Sequence, residues 1–162
     1  MAADTLATLA TLVGTRLKAG GLTLATAESC TGGWVAQTVT AIAGSSDYFE
    51  RGFVTYSNVS KEELLGVRDE TLARFGAVSE ETAREMALGA LARSRAGVEL
   101  AITGVAGPSG GTAAKPVGTV CFAWARRAEA ARAETRRFSG DREAVRRQAV
   151  IRALQGIIEL LE

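Results

Sequence analysis

Leu22-Thr23-Leu24-Ala25-Thr26-Ala27-Glu28-Ser29-Cys30-Thr31-Gly32-Gly33 is the stretch that decides the fold. Leu22 to Ala27 is short, apolar and preceded by Gly20-Gly21, which predicts a buried strand. Thr31 to Ala43 carries Trp34, Val35, Val39 and Ile42 at helical spacing and stops at Gly44-Ser45-Ser46, which predicts a helix. A strand passing through a tight turn into a helix is the repeating unit of α/β domains. Its turn is also a place to present a hydroxyl and helix-start amides to a ligand.

Outward from this unit the same alternation continues. Upstream, Leu6, Leu9, Val13 and Leu17 share one helix face, with Asp4 or Thr5 as cap. Downstream, Phe49 to Ser57 reads as a strand. Ser60-Lys61-Glu62-Glu63 matches a capping box and starts a short helix to about Leu65. Ser79 caps a longer helix to about Arg93, and Val98 to Thr103 is a third strand. A glycine-rich loop, Gly104 to Lys115, leads to strands over Pro116 to Ala125 and Ala131 to Phe138, the second more exposed. Asp141 opens a last helix with Val145, Ile151, Leu154, Ile158 and Leu161 on its apolar face. Strands alternating with helices, closed by a hairpin, predict a three-layer α/β/α sandwich around a mixed, mostly parallel sheet. Ligands bind such sheets beyond the carboxyl ends of the strands. That rule directs attention to the loops 28–33, 57–61 and 104–115.

Composition bounds the function. The chain of 162 residues fits one domain that buries a core without metals or disulfides. A net charge of +1 gives no general attraction to nucleic acid or to a membrane surface. Between Arg126 and Arg152, nine arginines face four acids, which reads as a solvated face with one or two guanidiniums left for a phosphate. Cys30 and Cys121 make neither a disulfide framework nor a metal set, and there is no histidine to complete a zinc site. Met-Ala-Ala-Asp lacks the basic start of a secretory signal, and the charge-free stretch Ser29 to Ser46 is too polar to span a membrane. A cytoplasmic enzyme-sized domain is the expectation.

The missing histidine sharpens the chemistry. Ser29 fits two roles: a helix cap, or a nucleophile whose base is not histidine. Only three lysines are present, and Lys61 is the one placed near a loop to watch. An ordinary lysine of pKa ~10.4 is neutral in about one molecule in 2,500 at pH 7, so a basic role requires desolvation. Otherwise Lys61 is a solvated surface residue. Tyr56, at a strand end just before it, is either a half-buried aromatic or a group that orients ligand or proton. Cys30 is a rival nucleophile near a helix start. The loop Gly104-Val105-Ala106-Gly107-Pro108-Ser109-Gly110-Gly111-Thr112 has neither a P-loop nor a dinucleotide fingerprint. It reads as a flexible loop or as a set of ligand-facing amides. Arg142, at the start of the last helix, is the arginine placed to meet a phosphate.

Taken together, the segments 26–33, Gly44-Ser45-Ser46, Val54-Thr55-Tyr56-Ser57-Asn58 with Lys61, Leu65-Gly66-Val67, Gly76-Ala77-Val78-Ser79, Thr103 to Pro108, Lys115 to Val120 and Gly140-Asp141-Arg142 resemble the CinA C-terminal domain family. The likeness runs in order through nearly the whole chain; Ala43 stands where the family usually has proline. The resemblance implies a mixed five-stranded sheet between helices, and residues 1–162 as a single amidohydrolase domain. It also implies hydrolysis of the carboxamide of nicotinamide mononucleotide, a small-molecule nucleotide, without metal or cofactor. Carried over, Ser29 is the nucleophile, Lys61 its base, and Tyr56 lies beside them. Thr31, Gly32, Gly33, Ser45, Ser46, Thr103, Gly104, Ala106, Gly107 and Arg142 are the expected substrate contacts, and a homodimer the expected assembly. Two other readings stay open: a non-catalytic nucleotide-binding module, and an amidase for another small amide.

Overall fold

The structure, a computed structural model, describes residues 2–162, with side chains from Thr5 onward. Its elements are α1 (Ala2–Ala19), β1 (Leu24–Glu28), α2 (Trp34–Thr40), β2 (Phe49–Val54), α3 (Asn58–Leu65), α4 (Asp69–Phe75), α5 (Glu80–Ala92), β3 (Val98–Gly104), β4 (Thr119–Arg126), β5 (Arg132–Arg137) and α6 (Arg142–Leu160). The five strands form one sheet in the order β2-β1-β3-β4-β5. Pairs β1–β2 and β1–β3 are parallel, while β3–β4 and β4–β5 are antiparallel, so only β4 runs against the rest.

Alternation along the strands builds two unlike faces. Leu24, Leu100, Ile102, Phe122 and Trp124 point to one side, where they meet Val13 and Leu17 of α1, Val35 and Val39 of α2, and the apolar stripe of α6. Ala27, Ala101, Ala123 and Ala125 point to the other, against Ala83, Met86, Ala87 and Ala90 of α5. Alanine on both sides of this second interface lets α5 approach the sheet closely. At Gly89 the approach extends to α3: a methyl group there would sit 1.8 Å from the Leu65 carbonyl oxygen. Gly89→Ala is therefore expected to lose at least ~1–3 kcal/mol in urea unfolding, despite the better helix propensity of alanine.

Several boundaries differ from the sequence reading. Helix α1 already runs from Ala2, so Asp4 and Thr5 lie within it rather than capping it. The capping box is formed by Ser57 and Ser60, three residues earlier than read, because the Ser57 hydroxyl accepts from the Ser60 amide. Helix α4, over Asp69–Phe75, was not anticipated; two glycines, Gly66 and Gly76, bracket a segment with only one leucine facing inward. The arginine run is not simply a solvated face. Arg152 pairs with Glu134 at 2.7 Å and Glu159 at 2.8 Å, and lies over the Trp124 ring. The Arg127 guanidinium ties the carbonyls of Leu91 and Ala96.

Candidate active site

The end of β1 is fixed on both sides. The Ser29 amide donates to the Ile102 carbonyl at 3.0 Å, and the Thr55 amide donates to the Glu28 carbonyl at 2.8 Å. Strand alternation then buries the Glu28 side chain completely, beneath the turn that follows. Its carboxylate accepts from the Thr31 hydroxyl (2.6 Å) and from the amides of Val35 (2.9 Å) and Ala36 (3.0 Å). A buried carboxylate is stable only with such partners, and a helix N-terminus supplies them. Glu28 is thus the acceptor for helix α2, a role the sequence reading left to serine or threonine. The start of α2 is thus occupied from within the protein. Thr31, Gly32 and Gly33 do not line the cleft described next, although Gly32 and Gly33, at φ +61° and +103°, shape the turn.

Beyond the carboxyl ends of β1, β2 and β3 lies a cleft of about 310 Å³. Ser29, Cys30, Tyr56, Lys61, Thr103 and Arg142 line its wall, together with Asn58 and the loop from Gly104 to Gly107. At its floor, the Lys61 amine lies 3.0 Å from Ser29 Oγ and donates to the Thr55 carbonyl at 2.9 Å. Lys61 is only 2% exposed. It is the fourth residue of α3, and the close seat of that helix on Gly89 keeps its amine inside. Loss of hydration pushes the Lys61 pKa down from 10.5, toward the uncharged amine.

Cys30 adjoins Ser29 but is chemically poor. Burial, aided by the Glu28 carboxylate, pushes its thiol up to about 12, so a thiolate is scarce near neutrality. Cys30→Ala is expected to keep kcat within about threefold of wild type, measured with the substrate proposed below.

Tyr56 stands at the rim, 61% exposed. Its hydroxyl accepts from Arg142 at 2.9 Å, and the same guanidinium donates to the Gly107 carbonyl at 2.8 Å. Arg142 therefore bridges the two sides of the cleft mouth. Thr103 is buried and donates to the Ala77 carbonyl, while Gly104, Ala106 and Gly107 supply backbone to the wall. Ser45 and Ser46 are elsewhere. They sit in a 3-10 turn before β2, whose following residue Tyr48 accepts from the Leu24 amide at the opposite end of β1. The likeness in sequence gave them a place in the motif set, yet parallel pairing of β1 and β2 puts their turn at the far end of the sheet. Three residues escaped the sequence reading: Glu28, Asn58 and Arg146. A charged residue closing an apolar strand was the signal for Glu28, since such a group demands partners. Among the described residues no cluster of three or more His, Cys, Asp or Glu is arranged to hold a metal ion, and no helix is long and apolar enough to cross a membrane.

The sequence pattern of the CinA C-terminal domain matches residues 6–161. The chain belongs to that family. Its relatives include the nicotinamide-nucleotide amidohydrolase PncC of Escherichia coli (strain K12), 62% identical over 147 residues that span 88% of this chain and 87% of that protein. The protein of the same name from Pseudomonas putida is 50% identical over 157 residues, covering 97% and 98%. Among solved structures, the competence/damage inducible protein CihA from Agrobacterium tumefaciens superposes with a TM-score of 0.95 at 46% identity, covering 98% of this chain and 96% of that one. The mixed five-stranded α/β architecture is thus the fold of the family.

Proposed function

We propose that this chain hydrolyses the carboxamide of nicotinamide mononucleotide to nicotinate mononucleotide and ammonia, with Ser29 as nucleophile and Lys61 as its base. The observation that carries the reading is the desolvated Lys61 amine 3.0 Å from Ser29 Oγ on the floor of the cleft. The names of the relatives at 50–62% identity supply the substrate.

The steps follow from that geometry. Uncharged Lys61 takes the Ser29 proton as Oγ attacks the amide carbon. The tetrahedral oxyanion is met by the backbone amide of Cys30, the residue after the nucleophile, which donates to no backbone carbonyl among the described residues. The lysine ammonium then passes its proton to the departing nitrogen, and ammonia leaves an acyl ester on Ser29. Water, deprotonated by the same amine, cleaves the ester and restores both residues. The cationic ring nitrogen of the substrate makes its carbonyl more electrophilic. The Thr55 carbonyl, accepting from Lys61 throughout, keeps the amine aimed at Oγ. Arg142 leaves Tyr56 and Gly107 to hold the substrate phosphate.

The test is ammonia release by the purified protein from nicotinamide mononucleotide and, separately, from free nicotinamide. The expected result is turnover of the nucleotide and a kcat/KM at least ~10²-fold lower for the free base, which offers no phosphate. In Arg142→Ala, KM for the nucleotide is expected to rise about 10–100-fold with a smaller change in kcat. Equal rates on both amides would favour a general amidase. Nucleotide binding without ammonia would favour a binding module.

A further inference from the structure

The turn that carries Ser29 has a second anchor besides Glu28. Arg146, one helical turn beyond Arg142 on α6, donates from Nε to the Cys30 carbonyl at 3.1 Å and from Nη2 to the Thr31 carbonyl at 3.2 Å. Its guanidinium also lies 5.5 Å from the centre of the Trp34 ring. The Ser29 carbonyl, for its part, accepts from the Gly32 amide at 2.9 Å. Three successive carbonyls, those of Ser29, Cys30 and Thr31, are therefore all committed. In a trans peptide the N–H points opposite to the carbonyl of the same unit. Fixing these oxygens fixes the directions of the Cys30, Thr31 and Gly32 amides. The amides of Cys30 and Thr31 donate to no backbone carbonyl among the described residues, and Cys30 lines the cleft beside the nucleophile. The turn needs outside support because Gly32 and Gly33 both adopt left-handed backbone, which leaves it little stiffness of its own. A bidentate, planar, permanently charged group suits two adjacent carbonyls, and a lysine does not reproduce it.

We propose that Arg146 is a positioning residue for the nucleophile: it clamps the Cys30 and Thr31 carbonyls so that Ser29 Oγ and the Cys30 amide hold the arrangement that attack requires. This inference rests on the reading of Ser29 as nucleophile.

Two readouts test it, one of them independent of the substrate. The first is kcat and KM for nicotinamide mononucleotide; the second is the rate at which a fluorophosphonate modifies Ser29, followed by mass spectrometry. Arg146→Ala is expected to lower kcat at least ~30-fold with KM changed less than about threefold, and to slow Ser29 modification by a similar factor. Arg146→Lys restores only part of either. Arg152→Met, which breaks ion pairs elsewhere on α6, controls for lost stability: it lowers the melting temperature but keeps both rates within about threefold of wild type. Wild-type rates in folded Arg146→Ala overturn the inference alone. Losses that merely track melting temperature, equal in Arg152→Met and Arg146→Ala, also overturn it. A wild-type protein that neither releases ammonia nor is modified at Ser29 overturns the nucleophile reading, and the clamp with it.

Discussion

Ser29→Ala is expected to lower kcat for ammonia release at least ~10³-fold, with little change in KM. The size of the effect follows from what the hydroxyl does. In the proposed mechanism it forms the bond that replaces the amide, and no other group takes its place: the neighbouring Cys30 thiol is buried and held in its protonated form. The effect on binding is small because Ser29 lies on the floor, while the proposed phosphate contact, Arg142, lies at the mouth. Removal of one oxygen also costs the fold little. The Ser29 amide and carbonyl remain bonded to Ile102 and Gly32. A loss smaller than about tenfold would contradict covalent catalysis by this residue.

Lys61→Arg and Lys61→Met are each expected to lose ~10³-fold or more, for different reasons. Arginine keeps a donor and a charge but does not give up its proton, so it supplies no base. Methionine keeps the length and apolar character of the buried stem but has no proton acceptor of use. Equal loss in both separates a base from a merely positive group, because a purely electrostatic role would leave Lys61→Arg the more active. The pH dependence has a definite sign. The folded pKa of Lys61 is depressed below its ordinary 10.5, so the working, neutral form increases as pH rises through that folded value. Activity therefore climbs with pH on a limb below 10.5. Stability follows the same direction. Between the folded and unfolded pKa values the unfolded chain holds the extra proton, so raising pH favours the folded state. The penalty is complete below the folded pKa and gone above the unfolded one. Denaturant unfolding of wild type and Lys61→Met across this window is expected to show their difference shifting in favour of wild type as pH rises.

Much of this was written in residues 22–33. An apolar strand entering a glycine-bearing turn is a local signal, and so is the absence of histidine, which left lysine as the candidate base. The hairpin and the last helix were legible for the same reason, since their periodicities are carried by neighbouring residues. What the sequence did not disclose depends on distant partners. Position 61 meets position 29 across 32 residues, through the packing of α3 on a bare glycine of α5. The Tyr56 hydroxyl meets Arg142 because α6 returns over the cleft. Glu28 looks like the polar end of a strand until the start of α2 is folded onto it. Ser45 and Ser46, whose motif is close in sequence to β2, lie at the end of that strand away from the cleft.

The account stands on an uncharged amine at Lys61, and nuclear magnetic resonance of its Nζ measures that charge directly. Titration of the Lys61 side chain in the folded protein, assigned by its loss in Lys61→Met, is expected to give a pKa clearly below 10.5 and coincident with the alkaline rise of kcat. A value at or above 10.5, in a protein that still releases ammonia at neutral pH, would contradict it.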